Sequence, residues 1–233
     1  MKIARNIPAI IIVFFIADIM FGLIYLFLYK YGDPLPNHTL IKLFDLDGEA
    51  NLPAWYSSMQ LFGVSILLGV FAYYNFNKYN FHSWTLVLLA VLFFILSADE
   101  VAQMHERMGK IIDILFPEYS RNENFFKNTG IWMFLIGIPF IVVLIFLLKS
   151  SWIYFRNYKD ISIRLIVGII IWLFGALVAE SFSNLWEQGT KSFIVEVYIE
   201  ESCEMIGVTF ILWASYSLIA KNKFMRLKTD KKI

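Results

Sequence analysis

Residues 84–109 read WTLVLLAVLFFILSADEVAQMHERMG, and this stretch decides the fold. Its first fifteen residues, 84–98, carry no charge, and Asp99, Glu100, His105 and Glu106 then follow within eight positions. About 20 apolar residues are enough to cross the roughly 30 Å hydrocarbon core of a bilayer. The stretch therefore predicts a membrane-spanning helix that ends in a group of acids and one histidine.

The composition extends this prediction to the whole chain. Hydrophobic residues make up 59% of the 233 residues and aromatic residues 18%, whereas soluble domains contain about 45–50% apolar residues. The net charge of +1 gives no argument for a nucleic-acid partner, and the single cysteine excludes an internal disulfide framework. The sequence predicts an all-α, polytopic membrane protein whose environment is the lipid bilayer.

Six segments are long and apolar enough to cross the bilayer. The predicted spans are 7–30, 53–76, 83–106, 129–149, 163–187 and 193–220. The first follows a basic tip but is longer than the apolar part of a signal peptide, which predicts an uncleaved helix. Pro139 predicts a kink within the fourth span. Since no linker interrupts the chain, residues 1–233 are expected to form one domain, a six-helix bundle.

Basic residues predict the orientation of these spans. With a cytoplasmic N-terminus, thirteen of the twenty Lys and Arg residues fall on the cytoplasmic side. Such an excess marks cytoplasmic segments, so both termini are predicted to be cytoplasmic. Sixteen of the nineteen Asp and Glu residues then fall on or near the outer side, although the rule for basic residues does not require this.

Acids of three spans lie at a similar predicted depth. Uncharged runs of fifteen residues, 84–98, 165–179 and 206–220, separate the cytoplasmic side from the acids of the third, fifth and sixth spans. At about 1.5 Å per residue these acids begin roughly 22 Å from that side, which is below the outer interface. Carboxylates that face lipid are costly, so these should face inward and form a shared polar cavity open to the outside. The fourth span has no charge over 129–148 and is expected to face lipid.

Helical periodicity also places polar side chains of each span on one face. These sets are Asp99, Gln103 and Glu106 on the third span, Glu180, Ser183, Asn184 and Glu187 on the fifth, and Glu196, Glu200 and Glu204 on the sixth. Glu201 lies at the edge of the last set. In a regular helix His105 would point about 120° away from Asp99, so the two are not expected to meet.

A cation is the leading interpretation of these acids, because crowded carboxylates need a compensating charge. The predicted metal ligands are Asp99, Glu100, His105, Glu180, Glu201 and Glu204. This set is rich in oxygen, which favours Fe, Mn, Ca or Mg over Zn as the divalent ion. Neither a Glu-x-x-His pair nor an H-E-x-x-H motif is present.

Catalysis at such a site is one possible consequence. If the protein is an enzyme, His105 or Glu106 is the expected acid or base, and a metal-bound water is the expected nucleophile. The substrate would be a lipid-borne or periplasmic small molecule. The sequence leaves open whether there is any enzymatic activity.

Two alternatives to a cation site stay open. The acids could form a proton or cation relay of a transporter or channel element, although the three apolar runs offer few polar residues for a path. They could also form a structural network that joins helices. Asp18, in the middle of the first span, belongs either to the same polar system or to the region of Gln60.

The first outer loop carries a second acidic pattern, FDLDGEAN, at residues 44–51. Its alternating acids look like the beginning of a calcium loop. An EF-hand needs glycine at its sixth position and Glu at its twelfth, whereas here Gly48 is fourth and Tyr56 is twelfth. The loop is expected instead to cover the cavity, after an interfacial segment at residues 39–44.

Three blocks of the sequence resemble a group of small, uncharacterised bacterial multipass membrane proteins. The blocks are FDLDGEANLPAWYSS, LSADEVAQMHE and EESCEMIGV. The resemblance implies a site that contains Asp45, Glu49, Asn51, Asp99, Glu100, His105, Glu106, Glu200, Glu201 and Glu204. It also implies a bacterial cytoplasmic (inner) membrane location but no activity. In the fifth span Ser-Phe-Ser follows Glu180, where the group has Met-x-Gly, so Glu180 is the least secure match.

Overall fold

The structure is a computed structural model that describes residues 7–31, 38–48, 50–116, 127–131 and 133–230. Two residues named above are affected. Glu49 lies outside the described residues, and so does the side chain of Glu106.

In the described part of the chain, six helical segments are long and apolar enough to cross a membrane. They are Ala9–Lys30, Leu52–Asn75, Phe81–Ala102, Met133–Tyr154, Lys159–Ser183 and Lys191–Asn222. Each overlaps one predicted span, and the bounds differ by a few residues. The prediction of an all-α, polytopic membrane bundle is confirmed.

The helices that build these spans are α1 (Ala9–Tyr31), α3 (Leu52–Asn75), α4 (Phe81–Ala102), α6 (Ile138–Ser151), α7 (Lys159–Leu173) and α9 (Lys191–Asp230). Among the described residues, three shorter helices lie outside or at the ends of them: α2 (His38–Leu43), α5 (Met104–Leu115) and α8 (Glu180–Ser183). The π-helical segments Met133–Gly137 and Phe174–Ala179 precede α6 and α8. The 3₁₀ turn Trp152–Tyr154 follows α6.

Helix α9 is the central element of the bundle. Half of the residues in the most apolar 18-residue stretch of its span are buried. Only 22% of the residues are buried in the corresponding stretches of α1 and of the span that contains α6. Helix α9 packs against α1, α3, α7 and the π-helical segment Phe174–Ala179, and Val208, Ile211 and Leu218 of α9 belong to the main core. The fourth span is thus mostly exposed, as its uncharged sequence suggests.

Glycines allow the fifth span to approach α9 closely. A Cβ at Gly168 would stand 2.7 Å from the carbonyl oxygen of Gly207, and a Cβ at Gly207 would stand 2.5 Å from the backbone nitrogen of Trp172. Such distances leave no room for any side chain. Small residues at helix interfaces let backbones come together in a membrane, so these glycines hold α7 and α9 in contact.

A buried polar group joins α1, α3 and α9 in the middle of the bundle. Asp18 and Gln60 are fully buried, and Gln60 Nε2 donates to Asp18 Oδ1 at 2.8 Å. Tyr56 Oη donates to the same oxygen at 2.6 Å, and Thr209 Oγ1 donates to Asp18 Oδ2 at 2.8 Å. Of the two expectations for Asp18, the structure therefore places it with Gln60. This Asp18 group satisfies its carboxylate within the bundle.

One sequence expectation about helix continuity is wrong. The third span was expected to run to residue 106, but α4 ends at Ala102 because Gln103 adopts a left-handed backbone with φ 54°. Pro139, where the sequence predicts a kink, lies in the first turn of α6 directly after the π-helical segment Met133–Gly137, and the kink stays a prediction.

Candidate functional site

The break at Gln103 brings His105 back onto Asp99. The backbone N–H of His105 donates to Asp99 Oδ1 at 2.9 Å, and Nδ1 of its ring lies 2.7 Å from Asp99 Oδ2. Asp99 thus both caps the new helix α5 and orients the ring. With Nδ1 as the donor, Nε2 is the nitrogen that carries the lone pair, which is the arrangement of a histidine that serves as a metal ligand or a base.

Glu180 is placed by a change of helix type. The π-helical segment Phe174–Ala179 ends directly before it, and the wider helix alters the rotation of the residues that follow. Inserted π turns occur often at functional sites. Gly175 in this segment lies against α9, since a Cβ there would stand 2.7 Å from the carbonyl oxygen of Glu200 and 2.8 Å from Cγ of Glu204. This close approach brings Glu180 to the acids of α9.

Helix α9 contributes four carboxylates to one end of the bundle. Glu200 interacts electrostatically with Glu180, Glu201, Glu204 and Glu196. Glu201 interacts with Glu204, Glu100, Asp47 and Glu180, and Glu204 with Glu180 and His105. We refer to Asp47, Glu100, His105, Glu180, Glu196, Glu200, Glu201 and Glu204 as the acidic cluster. The charges acting most strongly on Glu200 and Glu201 are all carboxylates, so the cluster concentrates negative charge.

The loop after α2 packs beside this cluster, where Asp47 interacts electrostatically with Glu196 and Glu201. Leu46 is buried and packs with Tyr25, Phe193 and Val197 in a small second core, which ties the loop to α1 and α9. Asn51 holds its shape, because Nδ2 donates to the carbonyl oxygens of Asp45 at 2.6 Å and Gly48 at 2.5 Å.

Asn51 and Asp45 take structural positions at this loop. The Asn51 side chain accepts the N–H of Ala54 at 3.1 Å and caps α3. Asp45 accepts a hydrogen bond from Tyr29 Oη at 3.2 Å. Burial raises the pKa of the Asp45 carboxyl above its ordinary value, and the bond from Tyr29 opposes that rise. Asp47, in contrast, interacts with Glu196 and Glu201.

Most of the predicted site residues interact electrostatically at one end of the bundle. The metal ligands predicted from sequence, Asp99, Glu100, His105, Glu180, Glu201 and Glu204, all belong to the acidic cluster or pair with it. Glu106, predicted as a catalytic residue, has no described side chain, and Glu49 lies outside the described residues. Within the described part of the chain, no three His, Cys, Asp or Glu side chains stand together as a ready-made metal site.

Two polar residues predicted on the face of Glu180, Asn184 and Glu187, do not join the acidic cluster. Asn184 Oδ1 accepts the backbone N–H groups of Asn128 at 2.9 Å and Thr129 at 3.2 Å. Helix α8 ends at Ser183, and Glu187 is exposed beyond it. The predicted common face therefore divides: Glu180 joins the acidic cluster, while Asn184 anchors the segment before the fourth span.

Three members of the acidic cluster, and one residue beside it, were not among the predicted ligands. Glu196 and Glu200 share the predicted stripe of α9, so helical spacing was a usable signal for both. Asp47 had a weaker signal, the alternation of acids in the outer loop. Trp172 lies with its indole N–H beside Glu204. The sequence contained no signal for this contact, because an aromatic residue within an apolar span does not indicate a polar neighbour.

Comparison with known proteins assigns a family but no activity. Residues 9–220 match the family described as Domain of unknown function (DUF8692), so the chain belongs to this uncharacterised family. No curated protein and no solved structure matches the chain. The site must therefore be interpreted from its own geometry.

Proposed function

We propose that this member of an uncharacterised family binds a divalent cation at the acidic cluster. The proposed ligands are Glu100, His105, Glu180, Glu201 and Glu204, with Asp99 as the partner that orients His105. The observation that carries the proposal is the Asp99–His105 pair at 2.7 Å, whose histidine interacts electrostatically with Glu204, which in turn interacts with Glu180. Metal-bound histidines almost always have such a second partner.

The charge of the cluster supports a cation as the occupant. Carboxylates gathered within a membrane bundle repel one another unless a cation or shared protons compensate. Their oxygens together with one imidazole suit Mn, Fe, Ca or Mg better than structural Zn. Since no three described ligands stand together in advance, binding would draw the carboxylates towards one another.

The position of the site suggests how it would be used. The cluster lies at the end of the bundle that carries loop 44–48, inside the spans yet next to the surface. With its orientation fixed by Asp99, His105 is the group best suited to hold or transfer a proton beside a bound cation. A membrane enzyme acting on a lipid-borne or external small molecule is the activity that fits this position.

Cation binding can be measured directly on the detergent-purified protein. After treatment with a chelator, titration with Mn²⁺ followed by electron paramagnetic resonance should show about one site per chain, with a nitrogen ligand from His105. The variant Glu201→Gln/Glu204→Gln should bind at least about tenfold more weakly, because it removes two charged ligands. Glu187→Gln, an exposed glutamate near the same end, is the matched control and should bind normally.

Two results would reject this proposal. One is wild-type protein that binds none of Mn²⁺, Ca²⁺, Mg²⁺ or Fe²⁺ although it remains folded. The other is a double variant whose affinity equals that of the wild type.

A proton relay is the second candidate, and the Asp18 group is the observation that favours it. Thr209, which donates to Asp18, lies five residues below Glu204 on α9, about 7.5 Å along the helix. A carboxylate therefore sits deeper in the bundle than the acidic cluster, and intramembrane acids often mark proton paths. In proteoliposomes, Asp18→Asn should abolish a proton flux if the relay exists, and absence of flux in the wild type excludes this candidate.

A further inference from the structure

A groove opens on the side of the bundle next to the acidic cluster. It lies between the π-helical segment Phe174–Ala179, α8 and the first turns of α9, and its volume is about 520 Å³. Ligand pockets commonly have volumes of about 300–1,000 Å³. The groove is therefore large enough for part of a small amphipathic molecule.

The walls of the groove are apolar and reachable from the surrounding bilayer. Phe174, Phe182, Val195 and Ile199 line it, and each of these side chains is between 42% and 52% exposed. They all belong to the two spans Lys159–Ser183 and Lys191–Asn222. A hydrocarbon chain lying along these residues would contact the protein without leaving the membrane.

Two opposite charges line the same groove. Lys191 is exposed at the beginning of α9, and Glu196 lies five residues further along, about 7.5 Å deeper. Glu196 is only 7% exposed; the Glu200 carboxyl is its neighbour, and neither of its own oxygens meets a donor with hydrogen-bond geometry among the described residues. A buried carboxyl group without a donor is costly, so a donor that reaches Glu196 would be strongly favoured.

We propose that this groove binds a phospholipid whose head group ends in a primary ammonium. Its acyl chain lies along Phe174, Phe182 and Ile199, its phosphate pairs with Lys191, and its ammonium donates to Glu196. The charges of the head group complement the two charges of the groove, one for one. Glu196 reaches the head group by rotating its terminal torsions away from its neighbour Glu200. The site is separate from the proposed cation ligands, none of which lines the groove.

Head-group preference is the measurement that tests this proposal. Binding to purified wild-type protein is measured by native mass spectrometry for three phospholipids with identical chains and ethanolamine, choline or glycerol head groups. The choline head has a positive charge but no N–H donor, and the glycerol head has donors but no positive charge. We expect the ethanolamine lipid to bind about tenfold more tightly than the other two, since a charge-assisted hydrogen bond contributes about that much.

Three variants and one control assign this preference to the groove. Glu196→Gln should remove the preference for ethanolamine, while Glu187→Gln should keep it. Lys191→Met should weaken all three lipids alike because each has a phosphate. Ile199→Trp fills the groove from an exposed position, so it tests occupancy even if Glu196→Gln fails to fold.

The preference is measured both with a chelator and with Mn²⁺ so that it is judged independently of cation binding. Equal binding of the three lipids by the wild type would overturn the proposal. A preference that survives in both Glu196→Gln and Ile199→Trp would overturn it as well.

Discussion

The backbone of one residue, Gln103, determines the geometry of the histidine. A non-glycine residue in the left-handed region costs about 1–2 kcal/mol, and Gln103 adopts φ 54° there. Two hydrogen bonds from His105 to Asp99 offset that cost. Strain of this kind tends to occur at functional positions, which agrees with a role for the pair in binding.

Replacing Asp99 with asparagine should separate its two roles. In Asp99→Asn the side-chain oxygen of the new amide can still accept the His105 N–H and cap α5. The amide nitrogen then donates to Nδ1, so the imidazole proton moves to Nε2 and that nitrogen can no longer bind a metal. We expect Mn²⁺ affinity to fall about 10–100-fold with little change in unfolding temperature. Unchanged affinity, measured by calorimetric titration, would contradict the assignment of His105 as a ligand.

The Asp18 group predicts opposite results for two substitutions at one position. Asp18→Asn keeps an acceptor for Tyr56 and Gln60, so its effect on the free energy of unfolding should stay below about 1 kcal/mol. Asp18→Leu removes the acceptor of all three donors; Tyr56 and Gln60 keep the Phe14 carbonyl and Thr209 Oγ1 as acceptors, but the buried Thr209 hydroxyl loses Asp18, so the variant should be destabilised by about 1–3 kcal/mol. Thermal unfolding in detergent compares the two variants. Equal stabilities would show that the Asp18 group contributes nothing to the bundle.

At the scale of elements, the packing of the fifth span against α9 places Glu180 with the acids of α9. Close contacts at Gly168, Gly175 and Gly207 hold the two helices together, and the π-helical segment Phe174–Ala179 directs Glu180 towards α9. These features lie along one interface. The contacts at Gly168 and Gly207 stabilise the packing of the two helices, and the contact at Gly175 positions the carboxylates.

Glycine substitutions along this interface should therefore differ in effect. Gly207→Ala places a Cβ 2.5 Å from the backbone of Trp172 and should lower the unfolding temperature, because overpacking costs about 1–3 kcal/mol. Gly175→Ala should also weaken Mn²⁺ binding, since it separates Glu180 from Glu204. Gly69→Ala is the control: its nearest contact is the Cβ of Ala90 at 4.0 Å.

Control and test are judged by the same two readouts, unfolding temperature and Mn²⁺ affinity. Gly69→Ala should leave both within experimental error. A Gly175→Ala protein with wild-type affinity would show that the close approach of the two spans is not needed for the site.

For the whole molecule, the distribution of charge follows the direction of the helices. Six spans return the chain to its starting side, and the acidic cluster collects at the end formed by α5, α8 and the beginning of α9. The excess of basic residues at the opposite end predicts that this other end is cytoplasmic. The cation and lipid sites would then both face the outside of the cell membrane.

Cysteine labelling tests this orientation. In a Cys203→Ser background, Thr190→Cys and Tyr79→Cys place single thiols in two exposed connections at opposite ends of the bundle. A membrane-impermeant maleimide should label the first in intact cells, and the second only after permeabilisation. Neither change alters a charge, so the topology signal is preserved. The reverse pattern would place the acidic cluster in the cytoplasm and contradict the predicted orientation.

Long apolar runs were sufficient to predict the spans, because crossing a bilayer depends on length and hydrophobicity, which are local properties of the chain. Equal run lengths also predicted that acids of three spans would meet at one depth, and the electrostatic neighbours of Glu200, Glu201 and Glu204 agree with this. The roles of these residues as ligands stay predictions.

Tertiary structure decided the features that depend on breaks in helical regularity. A regular helix would have turned His105 away from Asp99, and only the left-handed Gln103 brings them to 2.7 Å. The π-helical segment before Glu180, the contact of Gly175 with α9 and the groove beside Glu196 likewise have no local sequence signal. Each results from packing between distant segments, and periodicity describes only a helix that stays regular.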